Sequence, residues 1–203
     1  MANNANAPSG FRPIQSEFSS DYRANMRVCY VPAATTNALF LGDPVVIGTT
    51  TTNLGQGYPS VNLITAGSSH VVSGVITGFL GSSPNGAFFA NSGTPGPLYK
   101  VTNQATAWWV TVDDSYQSLF QVQCTGTPTA AIVGHNVNAI SGNGGKYTGR
   151  SGWQVSATAT NLAGTQFRVV GFVQDVSNVI GNKFPKLVVR INQSTEAPGV
   201  AGV

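Results

Sequence analysis

Charge is what this sequence has least of. Lys, Arg, Asp and Glu make up 8% of its 203 residues, against about 25% in an average soluble domain. Ten basic and seven acidic residues leave a net charge of +3. Without a local patch, that is too little to indicate a nucleic-acid partner. The basic residues are spread along the chain with no block of five, so no DNA or RNA binding is expected. Cysteine is nearly absent as well. Cys29 and Cys124 each sit in an apolar run, and two so far apart make neither a metal motif nor a disulfide framework. They read as buried thiols behaving as small apolar groups. A Cys29–Cys124 bridge would require neighbouring strands, which the sequence does not reveal.

Catalytic constellations are missing too. The two histidines, His70 and His135, form no close-spaced metal pair, and neither lies in a nucleophile motif. The carboxylates are Glu17, Asp21, Asp43, Asp113, Asp114, Asp175 and Glu196. Asp113-Asp114 is the only local cluster. Strand neighbours point to opposite faces, and a Ca²⁺ ion would want about six to eight oxygen ligands, which the vicinity does not offer. A hairpin-end turn is the preferred reading of that pair. Asp43, in Gly42-Asp43-Pro44, likewise reads as a turn residue accepting from backbone N–H groups. The run Gly142-Asn143-Gly144-Gly145-Lys146 has the look of a phosphate loop but lacks its full spacing and the helix after it. No enzyme, metal, cofactor or small-molecule substrate is therefore expected.

Long apolar runs are absent. None approaches the roughly 18 residues of a membrane span, so no membrane partner is expected. The N-terminus has neither the basic nor the apolar region of a secretory signal, which predicts synthesis without Sec export. No stretch carries a convincing helical period either.

What the sequence does contain is Thr, Ser, Asn, Gln and Gly between short apolar runs. A surface of that kind costs little to desolvate, because few ions lose hydration. It suits a subunit of a large assembly. Strand candidates follow one another from Met26: 26–31, 39–41, 45–47, 58–65, 70–80, 98–102, 107–112, 118–124, 132–140 (in one piece or two), 153–159, 165–176 and 184–191. Gly74 and Gly78 in the fifth suggest bulges or close backbone approach. AWWVTV and SLFQVQC read as a β-hairpin closed by DDSYQ. Short strands with turns between them predict an all-β fold, a barrel or sandwich.

Residues 1–25 carry no hydrophobic period. They predict an extended N-terminal arm in front of a β body over 26–191, with a flexible tail over 192–203. Large side chains spaced along a polar arm suit ordering on a partner. The candidate anchors are Phe11, Arg12, Pro13, Ile14, Phe18, Tyr22 and Arg23. Phe88 and Phe89, inside the turn-rich stretch 81–96, are candidate contacts at a loop tip. Trp108, Trp109, Trp153, Tyr99, Tyr116 and Tyr147 offer an alternative, a sugar-binding face, although strand aromatics more often form core pairs.

Several stretches together resemble a family of tailed-bacteriophage virion proteins, the capsid decoration or cement proteins. They are MANNANAPSGFRPIQ at the start, GDPVV, VSGVITGF, WWVTVDDSYQSLFQVQ, and FRVVGFVQDVSNVIGNKFPKLVVRINQSTEAPGVAGV at the end. The resemblance implies a single β-barrel or jelly-roll-like sandwich as the body of a homo-oligomeric structural protein, a dimer or trimer, on the outer capsid surface. Its partner would be the major capsid protein, whose neighbouring subunits it would bridge. It would be made in the bacterial host cytoplasm and reside in the virion. A receptor- or glycan-binding virion module, and a tail or head–tail structural protein, are the alternatives.

Overall fold

The computed structural model describes residues 4–18, 26–33, 35–48, 57–67, 70–82 and 98–195. Alternating apolar residues there form strands throughout. In chain order these are β1 (Arg12–Ser16), β2 (Met26–Val31), β3 (Leu39–Phe40), β4 (Pro44–Gly48), β5 (Ser60–Leu63), β6 (Gly74–Gly81), β7 (Tyr99–Lys100), β8 (Trp108–Asp113), β9 (Ser118–Gln123), β10 (Asn136–Val137), β11 (Ala139–Ile140), β12 (Gln154–Val155), β13 (Phe167–Phe172) and β14 (Lys186–Ile191). The only helical element among the described residues is a 3₁₀ turn, Ala130–Ile132. The fold is all-β, as expected.

Two layers make the body. β2, β5, β4, β6 and β8 close into a barrel, and β1, β9, β14, β13 and β10 form a five-stranded antiparallel sheet. Cys29, Val31, Val45, Ile47, Val61, Ile76, Val110 and Val112 fill the barrel. A second core lies between the layers. There Ile64, Val72 and Val75 from the barrel side meet Phe120, Val122, Phe167, Val169, Leu187, Val189 and Ile191 of the sheet. Burying a side chain of this size stabilises by about 1.5–3 kcal/mol.

Gly74 shows why β6 needs small residues. A Cβ there would lie 2.4 Å from the Asp113 carbonyl oxygen and 2.6 Å from a Val112 methyl. Only glycine lets β6 and β8 approach that closely. The β6–β8 register shifts between Ile76 and Gly78 and again between Phe79 and Gly81. Such irregularities bend a strand, which helps a small barrel close.

Several expectations are corrected. β8 and β9 do not form a hairpin. β8 pairs with β2 and β6 in the barrel, whereas β9 pairs with β1 and β14 in the sheet. The link between them crosses from one layer to the other. Asp113 sets that crossing. Its buried carboxylate accepts from the Ser115 N–H at 3.2 Å and the Ser118 hydroxyl at 2.9 Å. Asp114 pairs with Arg27 at 2.8 Å. Both carboxylates are thus committed to protein partners.

The two cysteines form no disulfide, because Cys29 sits inside the barrel and Cys124 in the core between layers. The C-terminal segment from Asn192 is not a loose tail over its described part. The Val72 N–H donates to the Gln193 carbonyl at 2.9 Å, and the Ser73 and Thr195 hydroxyls lie 2.7 Å apart. Residues 196–203 lie outside the described residues.

The largest correction concerns residues 1–25. Over its described part, residues 4–18, this stretch is not an arm separate from the body. β1 is the edge strand of the sheet, paired with β9 from Arg12 opposite Gln121 to Ser16 opposite Ser118. Pro13 fits an edge, where its missing N–H costs no ladder bond. Further back, Asn4 exchanges two hydrogen bonds with Val179, at 3.0 and 3.1 Å, and Gln123 donates to the Ala5 carbonyl at 2.7 Å.

Candidate partner-binding surface

The outer face of the five-stranded sheet carries exposed and half-buried side chains on β13 and β14. Period-two alternation creates it. On β13, Phe167 and Val169 face the core while Arg168 and Val170 are exposed. On β14, Leu187, Val189 and Ile191 face in, leaving Lys186, Val188 and Arg190 half-buried on the other side. Register then places Val188 beside Gln121, and Gln121 beside Arg12. Four of the ten basic residues of the chain, Arg12, Arg168, Lys186 and Arg190, therefore collect on one face.

Arg168 stands directly opposite Arg190 on the adjacent strand. Like charges at such a position destabilise a sheet, by roughly 0.2–1 kcal/mol. The fold offsets one of them. Glu17, just beyond β1, holds Arg190 through both carboxylate oxygens, at 2.7 and 2.9 Å. Among the described residues Arg168 has no ion-pair partner. It borders a cavity of about 280 Å³ with Glu17, Val133, Val170 and Arg190. Phe18, 76% exposed, follows Glu17 in the chain. The result is a cationic, flat, partly apolar surface able to meet an acidic one. Lys186 lies close enough to favour the charged form of Asp175, whose pKa is held below the usual value first by hydrogen bonds from Ser177 and then by that lysine.

The predicted anchors fall in different places. Phe11 is an internal residue. It is 1% exposed, its ring stacks on Phe167 with centroids 4.4 Å apart, and its N–H donates to the Gly42 carbonyl at 2.9 Å. Burial of this completeness removes it from any docking surface. Pro13 and Ile14 are half-buried in β1, while Arg12 and Phe18 are exposed. Tyr22, Arg23, Phe88 and Phe89 lie outside the described residues. Sequence reasoning missed Glu17, Arg168 and Arg190 as a group. The alternation of Lys186, Val188 and Arg190 was visible, but the register that sets Arg168 against Arg190 was not.

The proposed sugar face does not assemble among the described aromatics. Trp153 is buried between the layers. Trp109 packs edge-on against Tyr30 on the barrel exterior, also buried. Tyr99 stacks on Phe40 at 4.9 Å. Tyr147 is 99% exposed. In the 142–146 run the Gly145 amide donates to the Arg150 carbonyl, and just beyond it the amides of Thr148 and Gly149 donate to the Gly145 carbonyl, so these three are not offered to an anion.

Three buried titratable groups have shifted proton affinity. Asp43 is 2% exposed. Its carboxylate accepts from the Phe40 N–H at 2.8 Å. Burial raises its pKa to about 6, against opposing hydrogen bonds from Ser151 and Phe40. Asp43 lines a cavity of about 350 Å³ with Asn143 and Trp153. Burial pushes the Cys124 thiol up, which suppresses thiolate chemistry there. Burial also lowers the pKa of Lys100, which lies opposite Leu39 and donates to the Val101 carbonyl at 3.3 Å. Among the described residues no three His, Cys, Asp or Glu side chains gather as metal ligands.

No family model matches the chain, no curated protein matches it, and no solved structure matches it.

Proposed function

We propose that this chain is a non-enzymatic structural protein of a tailed-phage virion that seats on the outer capsid surface and cements neighbouring shell subunits. The observation that carries the reading is the outer sheet face, where Arg168 is set against Arg190 and the one carboxylate at hand, Glu17, is held by Arg190. An arrangement that costs fold stability is retained where a partner uses it. An acidic surface on the shell protein complements it and would favour both docking rate and register. The scarcity of charge elsewhere supports the same reading, since the rest of the surface desolvates cheaply. The resemblance of the quoted stretches to virion decoration proteins supplies the identity of the shell. Many such contacts, repeated by self-association as a dimer or trimer, give avidity without one tight site.

The test is sedimentation of the purified chain with capsids that lack it, together with copy number per virion. Arg168→Glu is expected to weaken binding about tenfold or more, because it replaces attraction by repulsion at a desolvated contact. Wild-type chain that stays in the supernatant, or about a dozen or fewer copies per particle, as a tail or portal ring would give, overturns the reading. Deleting residues 1–25 is not a clean test, because it removes Phe11 from the core and β1 from the sheet.

A further inference from the structure

We propose that the pocket where β1 passes the barrel is a carboxylate-binding site, and that a glutamate or aspartate side chain of the shell subunit occupies it. The occupant rests on the function proposed above; the pocket itself does not. Arg12 and Arg150, far apart in sequence, both line this cavity of about 280 Å³. No acidic residue lines it. Both arginines are exposed, and among the described residues neither has an ion-pair partner. Two cationic residues bordering one cavity give it a positive potential that an anion would offset.

Both arginines grow from fixed backbone. Gly10, at φ +71°, precedes Phe11, and a Cβ on it would lie 2.4 Å from that of Ser151. This close approach and the stacking of Phe11 on Phe167 hold the start of β1. On the other side, Arg150 bridges to Leu41. The Leu41 N–H donates to the Gly149 carbonyl and the Ser151 N–H to the Leu41 carbonyl, both at 2.9 Å. The two cationic heads are therefore tethered to rigid roots. Less ordering is then needed on binding than with a loop.

Chemistry selects the ligand class. Arginine forks match the two oxygens of a carboxylate and donate to them bidentately. Ser9 also lines the cavity, and the hydroxyls of Thr77 and Thr148 are already engaged. Thr77 Oγ1 donates to the Thr111 carbonyl at 3.1 Å, and Thr148 Oγ1 donates to the Gly145 carbonyl at 3.3 Å. The remaining wall is apolar, formed by Pro13, Leu41 and Ile76. That wall suits the methylene stem of an acidic side chain. Inorganic phosphate has no stem to place there. The cavity is also smaller than most drug-sized ligand sites. Its walls come from β1 on one side and from the barrel on the other.

The experiment has two arms. In the first, the full isotopically labelled chain is titrated with glutarate, with its neutral counterpart glutaramide, and with inorganic phosphate, and amide shifts are followed by NMR. Saturable shifts at Ile76, Thr77, Thr148 and Arg150 are expected with glutarate, and none with glutaramide. The Arg12→Gln/Arg150→Gln double variant should lose them. Equal shifts with glutaramide, persistence in the double variant, or phosphate binding as tightly as glutarate overturns the carboxylate assignment. In the second arm, wild type and double variant are sedimented with undecorated capsids, and the variant is expected to bind about tenfold or more weakly, the loss typical of a charge-assisted hydrogen bond. If wild type and variant bind alike, the acidic-side-chain occupant is wrong. If wild type does not bind, the proposed function fails while the first arm still reads the pocket.

Discussion

Protonation of Asp43 should make this protein more stable in mild acid than at neutral pH, measured against a non-titrating variant of the same shape. The carboxyl is almost wholly buried where the chain enters β4. Its ordinary value of 3.8 rises to about 6 in the fold, because burial disfavours the charge more than Ser151 and Phe40 favour it. The folded state then binds more protons than the unfolded state between those two values. Stability is greatest below about pH 4, falls as pH climbs toward 6, and is level beyond it. A change of this size is worth about 3 kcal/mol, at about 1.4 kcal/mol per pH unit.

Asp43→Asn isolates the effect. The amide keeps the shape, its oxygen accepts from the Phe40 N–H, and its nitrogen can donate to the Ser151 hydroxyl. Both proteins are unfolded in urea at half-unit steps from pH 3.5 to 8, and the two free energies are subtracted. Groups such as Asp175, whose lowered pKa acts in the opposite sense, cancel in the difference. Wild type should lose about 3 kcal/mol relative to the variant across the window from pH 4 to 6. A difference that stays flat, or one in which wild type gains with rising pH, refutes the account of Asp43 as a carboxyl held back from ionising by burial.

Two further perturbations probe the fold. Phe11→Ala should cost about 3–5 kcal/mol in urea unfolding, as for other fully buried aromatic rings, whereas Phe18→Ala, on an exposed side chain, should change stability by less than about 0.5 kcal/mol. Gly74→Ala should lower the melting temperature, its Cβ overpacking the β6–β8 contact at about 1–3 kcal/mol. Gly171→Ala, with nothing within 4 Å of the added atom, should leave the melting temperature unchanged or slightly raised, because alanine narrows the unfolded ensemble.

How much of this was legible in the sequence depended on distance along the chain. β14 announces itself by alternation over six residues, and β2, β8 and β9 by apolar-rich stretches of the same length. β1 does not. Its five residues include a proline and its burial is partial, and the side chain that fixes it, Phe11, lies outside the strand. The false hairpin has a similar cause. Asp-Asp-Ser-Tyr-Gln reads as a turn either way, and only the layer to which each flanking strand pairs separates a hairpin from a crossing. The candidate site was the least legible part. Arg168 stands opposite Arg190, and Arg12 borders the same cavity as Arg150, only through long-range register and packing. A scattered set of cations gave no sign of the patch they form.

The N-terminal stretch changes meaning once its contacts are known. A free arm would gain affinity by covering a large surface and would lose much of it in ordering entropy. Here residues 4–16 are already bound, to their own body. Asn4 and Ala5 are tied to the sheet end, Phe11 sits in the core between the layers, and β1 extends the sheet. Phe11 also links the layers, because its N–H bonds to Gly42 beside the barrel while its ring stacks on the sheet. The segment is thus a seam, and its work for a partner is indirect. It presents Arg12 toward Arg150 and Glu17 toward Arg190 from a fixed frame. Recognition built this way should be rigid, charge-led and sensitive to salt within a Debye length of about 8–10 Å. Shell binding that persists undiminished in 1 M salt would point instead to the apolar side chains, with Phe18 foremost among the described ones.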